Sequence, residues 1–399
     1  MTDGPRTIAV TSAPGGEELG LVCIDSSVNG RARGGLRLVP DLTRRELELS
    51  ARVMTLKYGF LGLPQGGAKA GVFGDPEAPP NERASCLRRF AEAAAPLLTS
   101  RTYVPDSDIG TTGADVQRML DSLGMKVAAR EYRGNRSGLY TAATVFESAR
   151  AAADVVGLPF AGCRVAIEGF GRVGQPLARM FTRAGSVVVA ISTRHGGLHN
   201  PLGLDVEAVV ECLRSGGDAA VAAAGFGDPI GATDLKLVPA DVLCPCARHE
   251  SIALDDADAI EAKVISCGAN SPITPGAERR LWERGILCVP DFVANAGGVL
   301  GGTMEFAAWR PREILAFCDH RFRPRVAALI QEARQAGTPV RDVAEAFALT
   351  RFADVKRQAE QTSWRRRGIE IALAAFREGW VPGPLVRRLS AGYFRSRTG

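Results

Sequence analysis

The sequence predicts an α/β protein of two domains, in which a mixed-sheet domain precedes a doubly wound domain. Three observations support this prediction. The chain has 399 residues, which is more than one ordinary domain holds. Its first forty residues alternate between apolar and polar stretches, as β-strands do. Farther along, a short apolar run, a glycine-rich turn, a helical pattern and a second apolar run follow one another, which is the order of a strand–helix–strand unit.

The composition is typical of a soluble globular protein and argues against two classes of function. Hydrophobic residues make up 46% of the chain and charged residues 23%. The net charge of +5 is spread along the chain and only 6% of residues are aromatic, so we expect no nucleic-acid partner. The sequence has neither an 18-residue apolar run nor a signal-peptide pattern. We therefore expect no membrane partner and a cytoplasmic location.

The cysteines indicate a reducing environment. There are nine, an odd number, and they are scattered along the chain. Cys244 and Cys246 form a close pair, but no second pair follows at a spacing typical of zinc ligands. We expect reduced thiols, most of them buried, and no metal site.

The N-terminal domain is predicted to contain strands within residues 6–39, a helix over 43–59 and two further helices over 81–100 and 112–123. Thr43 is a plausible N-cap for the first of these helices, and Glu46 follows three residues later, as in a capping box. This pattern places Lys57 in the last turn of the helix and Lys69 on or near a strand after the next turn.

Lysine is rare in this chain, with six lysines among 49 basic residues. Two of them, Lys57 and Lys69, flank a Gly-Gly turn in an apolar context. A desolvated lysine can lose its proton near neutral pH, whereas an arginine cannot. The stretch from 54 to 75 is therefore a candidate for amine chemistry, although chance placement of two ordinary lysines explains the same pattern.

The second domain begins with a helical pattern over 141–156. A strand over 164–168 then leads into a G-x-G-x-x-G turn, a helix over 175–184 and a strand over 186–192. In this context the motif predicts a Rossmann-type dinucleotide-binding unit, because the glycines allow a tight turn and the helix N-terminus attracts a pyrophosphate. The candidate cofactor residues of this turn are Gly169, Gly171, Arg172, Val173 and Gly174.

Further strands are predicted over 242–244, 264–267 and 286–289. Asn270 and Asn295 follow two of them, at the ends where open parallel sheets bind ligands, and we take both as cofactor candidates beside a plain role in a turn. The region from 311 onward is helical in pattern and rich in arginine.

The residues after the second strand of this unit bear on the choice of cofactor. An acidic residue about 20 positions past the glycine-rich turn holds the ribose 2′-hydroxyl in NAD-binding proteins. This chain has Thr193 and Arg194 there, and Arg194 can pair with a 2′-phosphate. We predict NADP or NAD, with NADP as the first choice; if Arg194 is only a solvated loop residue, the specificity is mixed.

Six motifs now occur in order: MTLK (54–57), LPQGGAK (63–69), SDIGTT (107–112), GFGRVG (169–174), GAN (268–270) and VPDFVANAGGV (289–299). The set resembles the glutamate/leucine/phenylalanine/valine dehydrogenase superfamily, over roughly residues 20–306. The resemblance implies NAD(P)-dependent oxidative deamination of an L-amino acid to a 2-oxo acid and ammonia. It also implies a homo-oligomer.

The resemblance further implies the domain organisation. Residues 1–130 would form the substrate-binding and oligomerisation domain, with C-terminal helices over 350–399 packing back on it. Residues 131–349 would form the dinucleotide-binding domain, and the active site would occupy the cleft between the two.

The resemblance assigns roles residue by residue. Lys57 would bind the α-carboxylate, Lys69 would be the lysine of depressed pKa that activates water, and Asp108 would carry protons. Asp108 also suits a plain turn position before Gly110. Thr141 would meet the nicotinamide carboxamide, although Thr144 stands where the family usually has glycine.

Two positions bear on the identity of the substrate side chain, and they point to different substrates. Arg33 and Gly34 are candidate substrate-binding residues. Arg33 matches a lysine that meets the side-chain carboxylate in the glutamate enzymes, and the alternative is that Arg33 points to solvent. Gly302 stands where those enzymes carry a serine, which indicates an altered and roomier pocket. Glutamate is the first prediction, and an aliphatic, aromatic or unusual amino acid is the alternative. A non-catalytic dinucleotide-binding homologue remains open. A 2-hydroxy-acid dehydrogenase is the third possibility, although no histidine here stands in a recognisable pairing with an acid.

Overall fold

The computed structural model describes residues 5–13, 15–125, 136–222, 225–361, 375–376 and 379–398. The predicted α/β class is confirmed, with one mixed sheet and one mainly parallel sheet. The chain divides into two compact units. The first holds the described residues before Arg136 together with 306–308 and those between Phe347 and Tyr393; the second holds the rest. The predicted boundary between residues 130 and 131 lies outside the described residues. Within the described ranges, no helix is both long enough and apolar enough to span a membrane.

A five-stranded mixed sheet forms the first unit, with the strands in the order β1-β2-β4-β3-β5. β3 runs parallel to β4 and β5, whereas β2 is antiparallel to both of its neighbours. Its strands are β1 (Arg6–Thr11), β2 (Glu18–Ile24), β3 (Ala32–Val39), β4 (Gly66–Phe73) and β5 (Tyr103–Ser107), and its N-terminal helices are α1 (Arg44–Leu61), α2 (Pro80–Ala93), α3 (Ala95–Thr99) and α4 (Gly113–Asp121).

One prediction for this unit is wrong in detail. The single helix expected over 81–100 is two helices, because α2 ends at Ala93 and α3 begins at Ala95. Pro96 lies at the start of α3, where its missing N–H is tolerated, but inside one continuous helix its ring would oppose the preceding turn.

The two faces of this sheet differ in chemistry. One face carries Leu36, Leu38 and Val72 into a core that includes Phe90 of α2 and Val116 of α4. Because side chains alternate along a strand, the residues between these apolar positions point to the opposite face. That opposite face carries the basic residues of β3 and β4.

Helix α1 packs closely against this second face. Thr43 caps the helix, since its side chain accepts a hydrogen bond from the backbone N–H of Glu46. The helix ends at Gly62, which has a φ of 64°. At Gly67 of β4, a Cβ atom would lie 2.3 Å from the backbone nitrogen of Thr55 in α1. Glycine at 67 thus fixes the position of α1 on the sheet.

A seven-stranded sheet forms the second unit, in the order β12-β11-β10-β6-β7-β8-β9. The strands are β6 (Arg164–Glu168), β7 (Val187–Thr193), β8 (Gly196–His199), β9 (Asp228–Ile230), β10 (Val242–Pro245), β11 (Val264–Ser266) and β12 (Leu287–Val289). All neighbours from β12 to β7 are parallel, and β8 and β9 add an antiparallel edge that the sequence analysis did not predict.

Helices flank this sheet and continue to the C-terminal region. They are α5 (Ser137–Val156), α6 (Gly174–Arg183), α7 (Val206–Ala222), α8 (Pro275–Glu283), α9 (Asp291–Ala294), α10 (Gly297–Phe306), α11 (Pro311–Phe317), α12 (Arg323–Ala336), α13 (Val340–Glu360) and α14 (Gly383–Thr398). Short 3₁₀ turns cover Asp234–Leu237 and Leu254–Asp256, and a π turn covers Cys318–Phe322. The chain reverses its direction of winding between β6 and β10, which is where open α/β sheets bind ligands.

A buried arginine network holds the loop after β11. Arg341 of α13 donates to the carboxylates of Glu278 and Asp291, and its Nη2 atom lies 3.0 Å from Asp291 Oδ1. The other oxygen of Asp291 accepts from the backbone N–H of Ser271 at 2.8 Å. Asp291 is fully buried. A buried carboxylate needs such partners, because an unpaired charge away from water is strongly destabilising.

We predict that Arg341→Met lowers the free energy of unfolding by about 3–5 kcal/mol, because it leaves two buried carboxylates without their cation. Denaturant titration followed by circular dichroism measures this loss. The matched control is Arg280→Met, since Arg280 pairs with Asp258 on the surface and an exposed pair contributes about 1 kcal/mol or less. Equal losses in the two variants would contradict the prediction.

Candidate active site

The register of β3 and β4 places three basic side chains on one face, each beside a glycine. Arg33 lies opposite Gly67, and Arg37 lies opposite Gly71. Lys69 lies between these two glycines on β4, and a Cβ atom at Gly35 of β3 would be 3.2 Å from its Nζ atom. The small residue on one strand leaves room for the long side chain on the other.

Lys69 is buried and ion-paired. Its Nζ atom lies 2.6 Å from Asp108 Oδ2, and Arg37 donates from Nε to the same oxygen, also at 2.6 Å. The far end of the Arg37 guanidinium donates to Glu46, near the start of α1. The side chains of Lys69 and Arg37 are only 4% and 6% exposed. Four alternating charges therefore form one chain: Lys69, Asp108, Arg37 and Glu46.

This arrangement lowers the pKa of both Lys69 and Asp108. Burial lowers the pKa of Lys69, the Asp108 carboxylate raises it and the Arg37 cation lowers it again, and the net pKa lies below the ordinary lysine value. Burial raises the pKa of Asp108, but Lys69 and Arg37 outweigh burial and bring it below its usual range. Asp108 is thus held ionised while Lys69 holds its proton weakly.

Two adjacent glycines make this packing possible. At Gly34 a Cβ atom would lie 1.5 Å from the carbonyl oxygen of Ala68, so β3 and β4 could not pair as they do. At Gly35 a Cβ atom would lie 2.8 Å from the Cβ of Asp108 and 3.1 Å from its Cγ. Real Cβ atoms do not approach this closely, and any side chain at 35 would displace the carboxylate.

The backbone of Asp108 is fixed by the turn that follows β5. Its N–H donates to Thr111 Oγ1 at 3.0 Å, and that hydroxyl donates to the carbonyl of Leu36 at 2.8 Å. Gly110 completes the turn with a φ of 75°. The predicted turn position and the predicted charged role of Asp108 are therefore compatible. Its backbone forms part of the turn, and its carboxylate belongs to the charge network.

Three further predicted substrate residues lie on different elements of the fold. Lys57 is buried in α1, the helix that packs on this face of the sheet. Arg33 is half-buried, and its Nη2 atom lies 3.3 Å from Asp106 Oδ2 on β5. Gly302 lies in α10, in the second unit, where a Cβ atom would meet nothing within 4 Å.

The glycine-rich turn of the second unit has the close approaches that its motif predicts. Gly169 has a φ of 85°, and a Cβ atom there would lie 2.8 Å from Ala247. At Gly174 a Cβ atom would lie 2.2 Å from the carbonyl oxygen of Gly169, so glycine lets α6 start directly against the turn. Gly171 faces open space, Arg172 is exposed and Val173 is the N-cap residue of α6. The turn thus leaves backbone accessible at a helix N-terminus, as a pyrophosphate site requires.

The end of β7 presents a charge pair. Thr193 is buried, and its hydroxyl lies 3.2 Å from the carbonyl oxygens of Gly196 and Asp218. Arg194 is exposed, and its Nε atom lies 3.2 Å from the carboxylate of Asp218. Arg194 was predicted from its position after the strand, whereas Asp218, its acidic partner 24 residues later, was not.

Asn295 offers an unused acceptor. Its Nδ2 atom lies near three acceptors: the carbonyl oxygens of Gly268 and Ala269 and the Oδ1 atom of Asn270, at 3.2, 2.9 and 3.1 Å. Its own Oδ1 atom is buried and has no hydrogen-bond partner among the described residues. Buried polar atoms are rarely left unpaired, so this oxygen fits a ligand donor such as a carboxamide NH₂.

The start of α5 packs against α10 beside Thr141. A Cβ atom at Gly298 would lie 2.9 Å from Thr141 Oγ1. The hydroxyl of Thr144 accepts from the backbone N–H of Gly297 at 2.9 Å. Thr144, which departs from the usual family residue, therefore caps a backbone group of α10.

Several residues of this site were not identified from the sequence. Arg37, Glu46 and Asp106 were missed as charge partners. One signal was available. Basic residues and glycines alternate as R-G-R at 33, 35 and 37 and as G-K-G at 67, 69 and 71. Parallel strands in register with these two patterns bring the basic side chains into one row.

Comparisons with known proteins identify the family of this chain. The family model described as Glu/Leu/Phe/Val dehydrogenase, dimerisation domain, matches residues 19–125, and the model described as Glutamate/Leucine/Phenylalanine/Valine dehydrogenase matches residues 136–359. The glutamate dehydrogenase of Thermotoga maritima is 35% identical over 293 residues, which cover 70% of this chain and 69% of that protein. The NADP(+)-dependent glutamate dehydrogenase of Pyrobaculum calidifontis is 31% identical over 378 residues, which cover 88% of this chain and 84% of that protein.

A similar solved structure is the hetero-hexameric glutamate dehydrogenase from Thermus thermophilus in its leucine-bound form. It aligns with a TM-score of 0.76 and 26% identity, and the alignment covers 90% of both chains.

The fold, the site and these matches define an oxidoreductase that acts on the CH–NH₂ group of its donor. The chain belongs to the glutamate/leucine/phenylalanine/valine dehydrogenase family. The resemblance carried by the six sequence motifs is confirmed.

We predict that Gly35→Ala lowers kcat about a hundredfold, because the added methyl group displaces Asp108 from Lys69 and small misplacements of reacting groups have effects of this size. Steady-state kinetics on the purified variant measures the loss, with circular dichroism to establish folding. Gly392→Ala is the control, since a Cβ atom at Gly392 meets nothing within 4 Å. A Gly35→Ala enzyme of wild-type activity would mean that Asp108 need not lie where it does.

Proposed function

We propose that this chain catalyses the reversible NAD(P)-dependent oxidative deamination of L-glutamate to 2-oxoglutarate and ammonia. The observation that carries the proposal is the buried Lys69–Asp108 contact of 2.6 Å, on a sheet face that also carries Arg33 and is covered by the helix of Lys57. A buried amine of lowered pKa beside a carboxylate is suited to proton transfer near neutral pH. The relatives named above are glutamate dehydrogenases, which supports the choice of substrate.

In this proposal Lys57 binds the substrate α-carboxylate and orients the Cα–H bond. NAD or NADP, when bound, would supply the acceptor for the hydride from Cα. Lys69, as the neutral amine, takes a proton from the water that adds to the resulting iminium carbon. Lys69 passes this proton through Asp108 to the amine of the carbinolamine. Lys69, neutral again, takes the hydroxyl proton as the C–N bond breaks, so that ammonia leaves and the 2-oxo acid remains. Arg37 keeps Asp108 ionised between proton transfers, so a proton that reaches this carboxylate is quickly handed on.

The cofactor is NAD or NADP, and residues of the second unit suit it. Gly169, Gly171, Arg172, Val173 and Gly174 would hold the pyrophosphate at the start of α6. Thr141, Asn270 and Asn295 would hold the nicotinamide end, and the unpaired Oδ1 atom of Asn295 supports this assignment. Thr193 and Arg194 would meet the adenosine ribose. Arg194 favours a 2′-phosphate, so NADP is the first choice.

The domain roles are part of the same proposal. Residues 1–130 bind the substrate and carry the oligomer contacts, residues 131–349 bind the dinucleotide, and helices within 350–399 pack back on the first domain. We propose a homo-oligomer. Oligomerisation is supported by the family model for residues 19–125, which is described as a dimerisation domain, and by the hetero-hexameric Thermus thermophilus relative. We place the enzyme in the cytoplasm.

A second substrate class is favoured by one observation. Gly302 leaves open space where a side chain would otherwise project, which suits a larger aliphatic or aromatic substrate of the leucine, phenylalanine or valine type. Arg33 supports glutamate, because an arginine binds a carboxylate well and gains little from an apolar side chain.

We predict ammonium-dependent oxidation of NADPH or NADH by the purified chain when 2-oxoglutarate is supplied, followed by the fall in absorbance of the reduced cofactor. The same panel includes phenylpyruvate and the 2-oxo acid of leucine. Turnover with 2-oxoglutarate alone supports Arg33 as a substrate residue. Turnover with the apolar acids alone assigns the enzyme to the second class.

Lys69→Ala is the negative control for this panel, and it should lose activity by a factor of about 10³ or more because the base is removed. Lys263→Ala is the matched control, since Lys263 is a largely exposed lysine of the second unit. Near wild-type turnover by Lys69→Ala would refute the proposed mechanism. Cofactor binding without turnover of any acid would favour the non-catalytic homologue.

The charge network predicts opposite pH shifts for two variants. Catalysis needs neutral Lys69, so kcat/KM rises with pH through the pKa of Lys69. The Arg37 cation lowers this pKa and the Glu46 carboxylate raises it. Arg37→Met should therefore move the acidic limb of the pH profile to higher pH, and Glu46→Gln should move it to lower pH.

Profiles of kcat/KM for both variants and for Arg37→Lys, which keeps the charge, test this prediction. The lysine variant should shift less than the methionine variant. Shifts of the same sign in Arg37→Met and Glu46→Gln would show that another group controls the acidic limb.

A further inference from the structure

An ion pair lies beside the catalytic network on the same face of the sheet. Arg33 of β3 and Asp106 of β5 approach to 3.3 Å, between Nη2 and Oδ2. The second oxygen of Asp106 accepts from the backbone N–H of Ser107 at 2.9 Å. The side chains are 30% and 49% exposed, so both are open to an incoming ligand. The carboxylate is thus fixed in place without being covered.

The pair is adjacent to the proposed reaction centre. β3 and β5 are parallel neighbours, with Gly35 opposite Asp106. Gly35 is also the residue that touches Lys69 and Asp108, and Arg33 is two positions before it on the same face. Tyr58, which follows Lys57, lies within electrostatic range of both charges: burial raises its pKa, Arg33 lowers it and Asp106 raises it.

We propose that Asp106 is a specificity-determining residue, and that Arg33 and Asp106 together admit a substrate side chain ending in a carboxamide beside one ending in a carboxylate. This inference rests on the proposed function, since it takes Arg33 as the residue that meets the substrate side chain. L-Glutamine is the simplest probe of the carboxamide class.

The hydrogen-bonding chemistry of the two groups leads to this assignment. A guanidinium only donates and an ionised carboxylate only accepts. A carboxamide offers both functions, because its oxygen accepts from Arg33 and its NH₂ group donates to Asp106. A substrate carboxylate also satisfies Arg33, but it brings a second negative charge next to Asp106, and like charges at short range repel. Asp106 therefore disfavours the acidic side chain and leaves the amide unaffected or better bound.

The test compares kcat/KM for L-glutamate and L-glutamine in the wild type, Asp106→Asn and Asp106→Ala, at one pH and saturating cofactor. We expect the wild type to turn over both amino acids. In both variants the glutamate-to-glutamine ratio should rise at least about tenfold, because removing one charged hydrogen-bond partner has effects of this size. The change should lie mainly in KM, since Asp106 does not touch the reacting atoms. Asparagine keeps an acceptor for the Ser107 N–H, which preserves the local backbone.

Glu17→Gln is the matched control. Glu17 pairs with Arg89 at 2.5 Å on the exposed surface of the same unit, so this substitution removes one carboxylate from an arginine pair elsewhere. Its glutamate-to-glutamine ratio should equal that of the wild type.

The outcomes separate this inference from the function on which it rests. A wild type that turns over glutamate but not glutamine, or a glutamate-to-glutamine ratio that is unchanged in both Asp106 variants, overturns the role of Asp106 and leaves the dehydrogenase proposal intact. Equal losses for both substrates mean that Asp106 is structural, which also overturns it. A wild type without turnover of any amino acid refutes the proposed function itself.

Discussion

One carboxylate oxygen, Oδ2 of Asp108, accepts hydrogen bonds from two buried cations. Lys69 and Arg37 both lie 2.6 Å from it, and much of the first unit serves to keep them there. Bringing two cations and a carboxylate out of water is unfavourable unless each charge has a partner, and Glu46 supplies the fourth. The start of α1, two strands and the turn after β5 are thus tied to one atom.

The same contact explains how a buried lysine can hold its proton weakly without being left unpaired. An isolated buried amine would lose its proton but would also destabilise the fold. Here the carboxylate stabilises the ammonium form, and the neighbouring guanidinium offsets part of that stabilisation. The proton affinity of Lys69 therefore depends on a balance between neighbours, and burial is the largest of the contributions.

Most of the elements could be predicted from the sequence, because apolar alternation, the Thr43 cap and the glycine-rich turn act over a few residues. The edge strands β8 and β9 were missed because they have only four and three residues, which is too few to show an alternating pattern. Pro96 indicates the break between α2 and α3, but a single helix was predicted there. Lys69 and Asp108 stood within motifs, whereas Arg37 and Asp106 acquire their meaning only from strand register, which one sequence does not specify.

The alternation of basic residues with glycines on β3 and β4 restricts how this sheet can change over evolution. The side chains on one face of β3 and β4 share a limited space. They belong to positions 33, 35 and 37 of β3 and to positions 67, 69 and 71 of β4. A larger residue at 35 requires a smaller one at 69 or a displaced carboxylate, so the two strands must vary together. Substitutions that alter the chemistry of this site without unfolding it are therefore expected in pairs across the strands, with side-chain size exchanged between opposite positions.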